Sequence, residues 1–516
     1  MTLIDFFDRG LSLGASQQCL RQGEQSMTYG EVAAWTHLIA WSLRASGVNH
    51  QAKVATLSPN DIWAYVSMLG LQRAGCVWVP LNARSTVHDQ GKQIARTGVE
   101  WIFYHSEHEA AVAQLVREHP NLLGAVCIDR SGPQFPELQA WAAQAPKAPF
   151  PPPEHNATTD DFRITASGGT TGEPKAVVHT HAGCEANVAS FLATFRYEGR
   201  PRYLLCMPMT HAAGSLTFPI LAMGGSVCIL ARPDLDAILH AIEVERITTT
   251  LLVPTVIYAL LARPDVRHRD FSSLRYLCVG AAPLSSEKLR EGLEIFGPVI
   301  AQIYGQTEAS SMLTCMTPEE YKFILSEPKL HQRLKSCGRP SPFARIAIMG
   351  EGGKIMAAGE RGEVVVRSGM VMKGYLDDPI SETQASMHGW HHTGDVGYFD
   401  DDGYLYIVDR IRDLIITGGF NVFPIDVEQV LWSHPEVQDC AVIGIPDAHW
   451  GETVKAVVQL KSGSKVTEEE LIGLCRDKLG PVKSPKSVEF WDMLPKSTVG
   501  KVLKREIRAT LCKEPS

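Results

Sequence analysis

Helix and strand signals alternate from the first tens of residues onward, and this alternation leaves the chain few architectures. Thr28 and Glu31 have the spacing of a capping box ahead of Val32-Ala33-Ala34-Trp35, and Gly47 supplies a helix stop. Lys53-Val54-Ala55-Thr56-Leu57 then reads as a strand and Val77-Trp78-Val79-Pro80-Leu81 as the next one. Asn60 is expected to cap a helix between them that runs to about Gly75. A helix that separates two such strands crosses over a parallel sheet, so the N-terminal part should be a sheet covered by helices. With 516 residues the chain exceeds what a single core supports. The proline run Pro146-Lys147-Ala148-Pro149-Phe150-Pro151-Pro152-Pro153 reads as a stiff, extended linker. Further βα units follow, with strand-like Tyr203-Leu204-Leu205-Cys206, Thr249-Thr250-Leu251-Leu252-Val253 and Tyr276-Leu277-Cys278-Val279. From about Arg345 the pattern turns to short strands and turns, and after Asp409 to a compact α+β unit. The expected fold class is α/β. A large N-terminal domain of βα-layered sheets plus a distorted β-subdomain spans 1–409, a hinge 410–413, and a small α+β C-terminal domain 414–516.

Composition excludes several classes. A net charge of -8 without a dense Lys/Arg stripe argues against a nucleic-acid binder. The 12 cysteines are scattered with no C-x-x-C pair, which fits reduced thiols and neither a disulfide framework nor a zinc site. No uncharged apolar run reaches the ~18 residues that a membrane span needs. Met1-Thr2-Leu3-Ile4-Asp5 lacks a signal-peptide pattern, and Cys512-Lys513-Glu514-Pro515-Ser516 is no peroxisomal address. The expected location is the cytoplasm, with no integral membrane association.

Five segments carry chemistry. Ser167-Gly168-Gly169-Thr170-Thr171-Gly172-Glu173-Pro174-Lys175 follows the short run Phe162-Arg163-Ile164-Thr165. Bare amides, hydroxyls and an ammonium suit a polyphosphate. The spacing is not that of the common nucleotide loop, because Glu173 and Pro174 separate the last glycine from the lysine and no hydroxyl follows. Tyr304-Gly305-Gln306-Thr307-Glu308 closes a strand-like run and suits a nucleotide. The ring can stack on a base, the glycine permits close approach, and the carboxylate can hold Mg²⁺ beside phosphates. Trp390-His391-His392-Thr393-Gly394-Asp395 offers a carboxylate in a tight turn for ribose hydroxyls, and its paired histidines lack the further ligands of a metal site. Asp409-Arg410-Ile411-Arg412-Asp413, with Gly418-Gly419 just beyond, is a charged, glycine-flanked hinge between domains. Pro495-Lys496-Ser497-Thr498-Val499-Gly500-Lys501 sets a lysine beside a flexible glycine. Singly, each reads as a surface turn or a solvated charge; their number and order remove that reading.

Together the motifs, spread over nearly the whole chain, resemble the adenylate-forming superfamily of acyl-CoA synthetases, peptide-synthetase adenylation domains and luciferases. The style is most like that of a bacterial acyl-CoA synthetase. The resemblance implies that a carboxylic acid is activated with ATP and Mg²⁺ as an acyl-adenylate and then passed to coenzyme A. An alternative acceptor is the phosphopantetheine of a carrier protein. By similarity, Thr170, Thr171, Gly172 and Lys175 would hold the β- and γ-phosphates. Tyr304 would stack on adenine, backed by Gly280, Ala281 and Ala282. Thr307 would touch the α-phosphate, Glu308 carry Mg²⁺, and Asp395 and Arg410 bind the ribose. Lys501 would bridge the carboxylate and the α-phosphate. The small domain, mobile in this family, would then swing about Arg412, a position where the family has Lys or Asp, and bring Gly418 and Gly419 to coenzyme A. Gly419 would line the pantetheine tunnel. Ala176 replaces the usual glycine after Lys175, which removes no phosphate-binding group. The acyl pocket would be lined by His211 as its gate, with Gly214, Val279, Gly305, Ser311 and Met312. Met209-Thr210-His211-Ala212-Ala213-Gly214-Ser215 holds no carboxylate for an amino group, so an α-amino acid is not expected. A small, mostly apolar lining suits a medium-chain aliphatic or an aromatic acid. No nucleic-acid partner is implied, and a homodimer is the assembly allowed for.

Overall fold

The computed structural model describes residues 1–132, 134–152, 157–166, 175–282, 284–447, 449–496 and 502–511, without the side chains of Arg412 and Asn421. Among these residues the strands form four sheets. The first has seven strands in the order Gly374–Tyr375, Ala176–Thr180, Asp161–Ala166, Val77–Pro80, Lys53–Leu57, Val99–Tyr104, Gly124–Cys127. Its inner pairings are parallel, with crossover helices such as Ile62–Arg73 and Val87–Thr97 between them. Ala176–Thr180 adds antiparallel to Asp161–Ala166. The second has nine strands and is parallel from Gln18–Gln22 through Ser226–Ile229, Arg202–Leu205, Thr249–Leu252 and Tyr276–Val279 to Ile300–Gln306. Ala309–Met316 turns back antiparallel on Ile300–Gln306. The third is an antiparallel four-stranded sheet of Ala344–Met349, Gly362–Ser368, His391–Phe399 and Leu405–Arg410. The fourth gathers the strands from Ile415 to Phe490, covered by Pro424–Trp432 and Glu468–Lys483.

The capping box at Thr28 forms: Thr28 Oγ1 accepts from Glu31 N and the Glu31 carboxylate accepts from Thr28 N at 2.7 Å. Asn60 does not cap the next helix. Asp61 does, accepting from Trp63 N and Ala64 N. Asn60 is buried and ties loops together, donating to Met207 O and Leu230 O and accepting from Met209 N at 2.8 Å. Buried backbone polar groups must be satisfied, and here a side chain does what a ladder does elsewhere. Among its described residues the proline run carries no regular element, yet it is pinned: Trp41 Nε1 donates to Ala148 O, Phe150 N donates to His37 Nδ1, and Phe150 packs on the Trp41 ring. The largest core lies between the first two sheets and contains the fully buried tyrosines Tyr29, Tyr65 and Tyr203. Their hydroxyls are bound, as buried phenols require. Tyr65 reaches Thr217 Oγ1 and Tyr203 reaches Ala213 O, so the short helices Ala212–Ser215 and Thr217–Ala222 are held against the sheet.

Candidate active site

Strand ends from three sheets converge. Ile300–Gln306 delivers Tyr304 and, just beyond, Thr307 and Glu308. His391–Phe399 and Leu405–Arg410 deliver Asp395 and Arg410, which face each other in register. The seven-stranded sheet delivers Lys175 and Tyr375 at its edge.

Asp395 lies inside a strand and not in a turn. Gly394 before it takes φ +71°, and the ladder with Leu405–Arg410 shifts register just after it, so a bulge re-aims the carboxylate. The side chain is buried. One oxygen accepts from Tyr304 Oη at 2.7 Å and the other from Arg410 Nε at 3.0 Å. Its own N–H donates to Thr393 Oγ1, which in turn donates to Val364 O. Burial disfavours the Arg410 charge, but the carboxylates of Asp395, Glu308 and Asp413 and the Tyr304 phenol outweigh it, so its pKa is raised. Burial, together with the facing Asp395 carboxylate, pushes the Tyr304 phenol far above its usual range.

Glu308 accepts from Tyr375 Oη at 3.2 Å, and Met372 N donates to its backbone carbonyl. The Lys175 ammonium stands 4.7 Å from the centre of the Tyr375 ring. Tyr375 therefore links the lysine of the glycine-rich loop to the carboxylate of the tyrosine motif. No sequence signal marks it; it sits in the two-residue strand Gly374–Tyr375, whose partner is found only in three dimensions. His391 and His392 part ways. His391 Nε2 meets Gln306 Nε2 at 3.0 Å, and burial holds this ring near pKa 4, so it accepts from the amide. His392 binds Glu363 and Met387 O. Among the described residues no cluster of three His, Cys, Asp or Glu side chains suits a metal ion.

The floor of the site is built from close approaches. A Cβ on Gly305 would meet Ser310 O, one on Gly214 would meet Met209 O, and one on Gly280 would meet Ile303 at 3.1 Å. Ala281 takes φ +69°, a strained conformation for a residue with a side chain. Val279 and Met312 are buried in the main core, while Ser311 and Ala282 are partly open. His211 precedes the helix Ala212–Ser215; burial, with the positive Arg163 nearby, lowers its pKa to about 4, so the ring is neutral near pH 7. Arg163, part of the run before the glycine-rich loop, and His179, which no motif contains, pair across two strands beneath this region. A His179 ring nitrogen is hydrogen-bonded to the Thr307 backbone.

Gly418 and Gly419 form the two-residue turn of the hairpin Ile415–Thr417 and Phe420–Val422, with φ +54° and +80°. The steric demand falls on Gly418 and not on Gly419. A Cβ on Gly418 would lie 2.7 Å from the Trp450 ring, whereas one on Gly419 meets nothing within 4 Å. In this arrangement no neighbour crowds Gly419, and its left-handed backbone is what calls for glycine there. Thr170, Thr171, Gly172 and Lys501 lie outside the described residues, as does the side chain of Arg412. Lys496 bridges to Val502 and pairs with Asp439 at 2.6 Å.

Comparison with known proteins gives matches along nearly the whole chain. Residues 13–376 match the AMP-binding enzyme family, and residues 426–501 match the AMP-binding enzyme C-terminal domain. Feruloyl-CoA synthase from an Amycolatopsis species is 35% identical, with 95% of each chain covered. The long-chain-fatty-acid–CoA ligase FadD13 of Mycobacterium tuberculosis is 33% identical, over 93% of this chain and 92% of that one. The solved structure of the amide bond synthetase McbA from Marinactinospora thermotolerans superposes with a TM-score of 0.89 at 31% identity, covering 98% of this chain and 99% of McbA. With family models matched over residues 13–376 and 426–501 and relatives along nearly its whole length, the chain belongs to the AMP-binding enzyme family.

Proposed function

We propose that the protein is an acid–thiol ligase that activates a medium-chain aliphatic or aromatic carboxylic acid with ATP and transfers the acyl group to coenzyme A. The observation that carries this reading is the convergence of Tyr304, Asp395 and Arg410 with Glu308, Tyr375 and Lys175 at the ends of three sheets. Asp395 and Arg410 together offer an acceptor and donors for ribose hydroxyls, and Lys175 a cation for phosphate oxygens. A carboxylate oxygen of the acid attacks the α-phosphorus as the bond to pyrophosphate breaks, an in-line displacement that asks chiefly for positioning and charge stabilisation. Thr307 would meet the α-phosphate, and Lys501 would bridge it to the incoming carboxylate. His211, neutral near pH 7, would be a wall of the acyl site and not a counter-ion.

Glu308 fits Mg²⁺ as a single carboxylate, because this ion keeps most of its coordination on phosphate oxygens and water. Bound there, Mg²⁺ would supply charge neutralisation between the phosphates. In the second half-reaction the coenzyme A sulfur attacks the acyl carbonyl and AMP leaves. The small domain, from 414 onward, would turn about 410–413, with Arg412 as pivot, to exchange Lys501 for the Gly418-Gly419 turn. Relatives named as CoA ligases favour coenzyme A over a carrier protein as acceptor. Incubation with ATP, Mg²⁺ and a panel of acids, with and without coenzyme A, tests the reading by mass spectrometry. Acyl-CoA from aliphatic or aromatic acids is expected. Acyl-adenylate that persists with coenzyme A present would move the acceptor to a carrier protein, and absence of AMP with every acid would refute the activity.

A further inference from the structure

Arg163 is a buried cation without a counter-ion among the described residues. It lies mid-strand in Asp161–Ala166, is 8% exposed, and forms no ion pair with a described carboxylate. Nη1 donates to Ser215 Oγ at 3.3 Å, beside Gly214 of the acyl wall, while Nε is fully buried with no partner. Its guanidinium leans on the Phe162 ring, 5.4 Å from the centroid. Burial lowers its pKa only to about 10, so it stays charged at neutral pH. Its field acts on His179, His211 and Cys184, three groups that bring no negative charge near pH 7. A second orphan adjoins it: His179 Nε2 is buried and has no partner.

An unpaired guanidinium in a dry interior is destabilising, and proteins rarely leave such donors unsatisfied. The Nε edge of an arginine presents parallel donors that match both oxygens of a carboxylate. Arg163 is tied through Ser215 to the helix of the acyl wall, and it faces His179, which bonds the backbone of Thr307, across the strand pair. We propose that Arg163, with Ser215 and His179, is a receptor for a second carboxylate on the acyl substrate, so that the preferred acid is a dicarboxylic acid whose far carboxylate seats on the Nε edge. An anion there would also draw a proton onto His179 Nε2 and make it a further donor. The inference rests on the ligase reading and narrows its acid.

Matched pairs of acids test it: a straight-chain monocarboxylic acid against the α,ω-dicarboxylic acid of equal length, and benzoic acid against a carboxyl-substituted benzoic acid. For at least one pair, the wild type should favour the diacid by at least about tenfold in kcat/KM, since a site built to bind a polar group rejects the analogue that lacks it. Arg163→Met should erase or invert that preference through KM, and Arg163→Lys, which keeps the charge but not the fork, should retain part of it. A monoacid preference in every pair, or an equal loss for both members in Arg163→Met, overturns the receptor. Calorimetric titration of the wild type and Arg163→Lys with each acid, without nucleotide, separates binding from chemistry. Ligation without diacid preference in either measurement sinks the receptor and leaves the ligase. Tighter diacid binding without any ligation supports the receptor and sinks the ligase.

Discussion

Replacing Asp395 with asparagine keeps the shape of the side chain and removes the counter-charge of Arg410. The carboxylate is 4% exposed and accepts from both Tyr304 Oη and Arg410 Nε. Breaking a buried ion pair by deleting one partner costs about 3–5 kcal/mol. Two features reduce that figure here. Arg410 retains 31% of its side-chain exposure, and Glu308 and Asp413 also act on its charge. A loss of about 2–3 kcal/mol is therefore expected for Asp395→Asn, and a similar loss for Arg410→Met, which strands the acid instead. The double variant leaves neither charge alone, so it should be more stable than the sum of the two losses by about 2 kcal/mol. Urea midpoints of the four proteins measure this coupling. Additivity within about 0.5 kcal/mol would show that the pair does not hold the two strands together, and would refute the reasoning. All three variants should also raise the KM for ATP in pyrophosphate release, because the same two groups would address the ribose.

Three further outcomes follow from particular residues. Lys501→Ala should slow adenylation by about 3 kcal/mol, the scale of a lost charge-stabilising donor, yet still convert supplied acyl-adenylate to thioester; equal losses in both half-reactions would remove the two-state assignment. Gly418→Ala should destabilise the C-terminal domain by about 1–2 kcal/mol more than Gly419→Ala, since both break a left-handed turn but only the first meets the Trp450 ring; equal urea midpoints would contradict this. Burial holds His181 and His391 at about 4, below the ordinary 6.5. Between those values the unfolded chain binds protons that the folded chain does not, so their contribution is complete above about pH 6.5 and is lost as pH falls toward 4, on the order of 3 kcal/mol each. A urea midpoint that stays flat from pH 7 to 4.5 would rule this out.

Local rules carried far along this chain. The capping box at Thr28 and the strands at Lys53–Leu57 and Tyr276–Val279 depend on neighbours a few residues away, and their physics is written in adjacent side chains. The motifs that point to nucleotide chemistry were legible for the same reason: a glycine, a hydroxyl and a charge at short spacing say which ligand a loop can take. What no local rule contains is which strand end meets which. Asp395 looks like a turn residue, because Gly394 precedes it, and becomes a mid-strand carboxylate only when Leu405–Arg410 pairs with it across a bulge. Asn60 looks like a cap, and is a strut between loops more than a hundred residues away in sequence. Tyr375 carries no motif and acquires a role because the strand Gly374–Tyr375 adds to Ala176–Thr180, beside Lys175 and opposite Glu308.

The βα architecture, the order of the motifs and the kind of chemistry they serve are legible in the order of the amino acids, since propensity, capping and charge act over a few residues. Tertiary structure alone decided the pairing of Asp395 with Arg410, the placing of Tyr375, and the isolation of Arg163 from every described carboxylate. Each of these depends on long-range strand register and on the exclusion of water from a packed interior, which no window of sequence records.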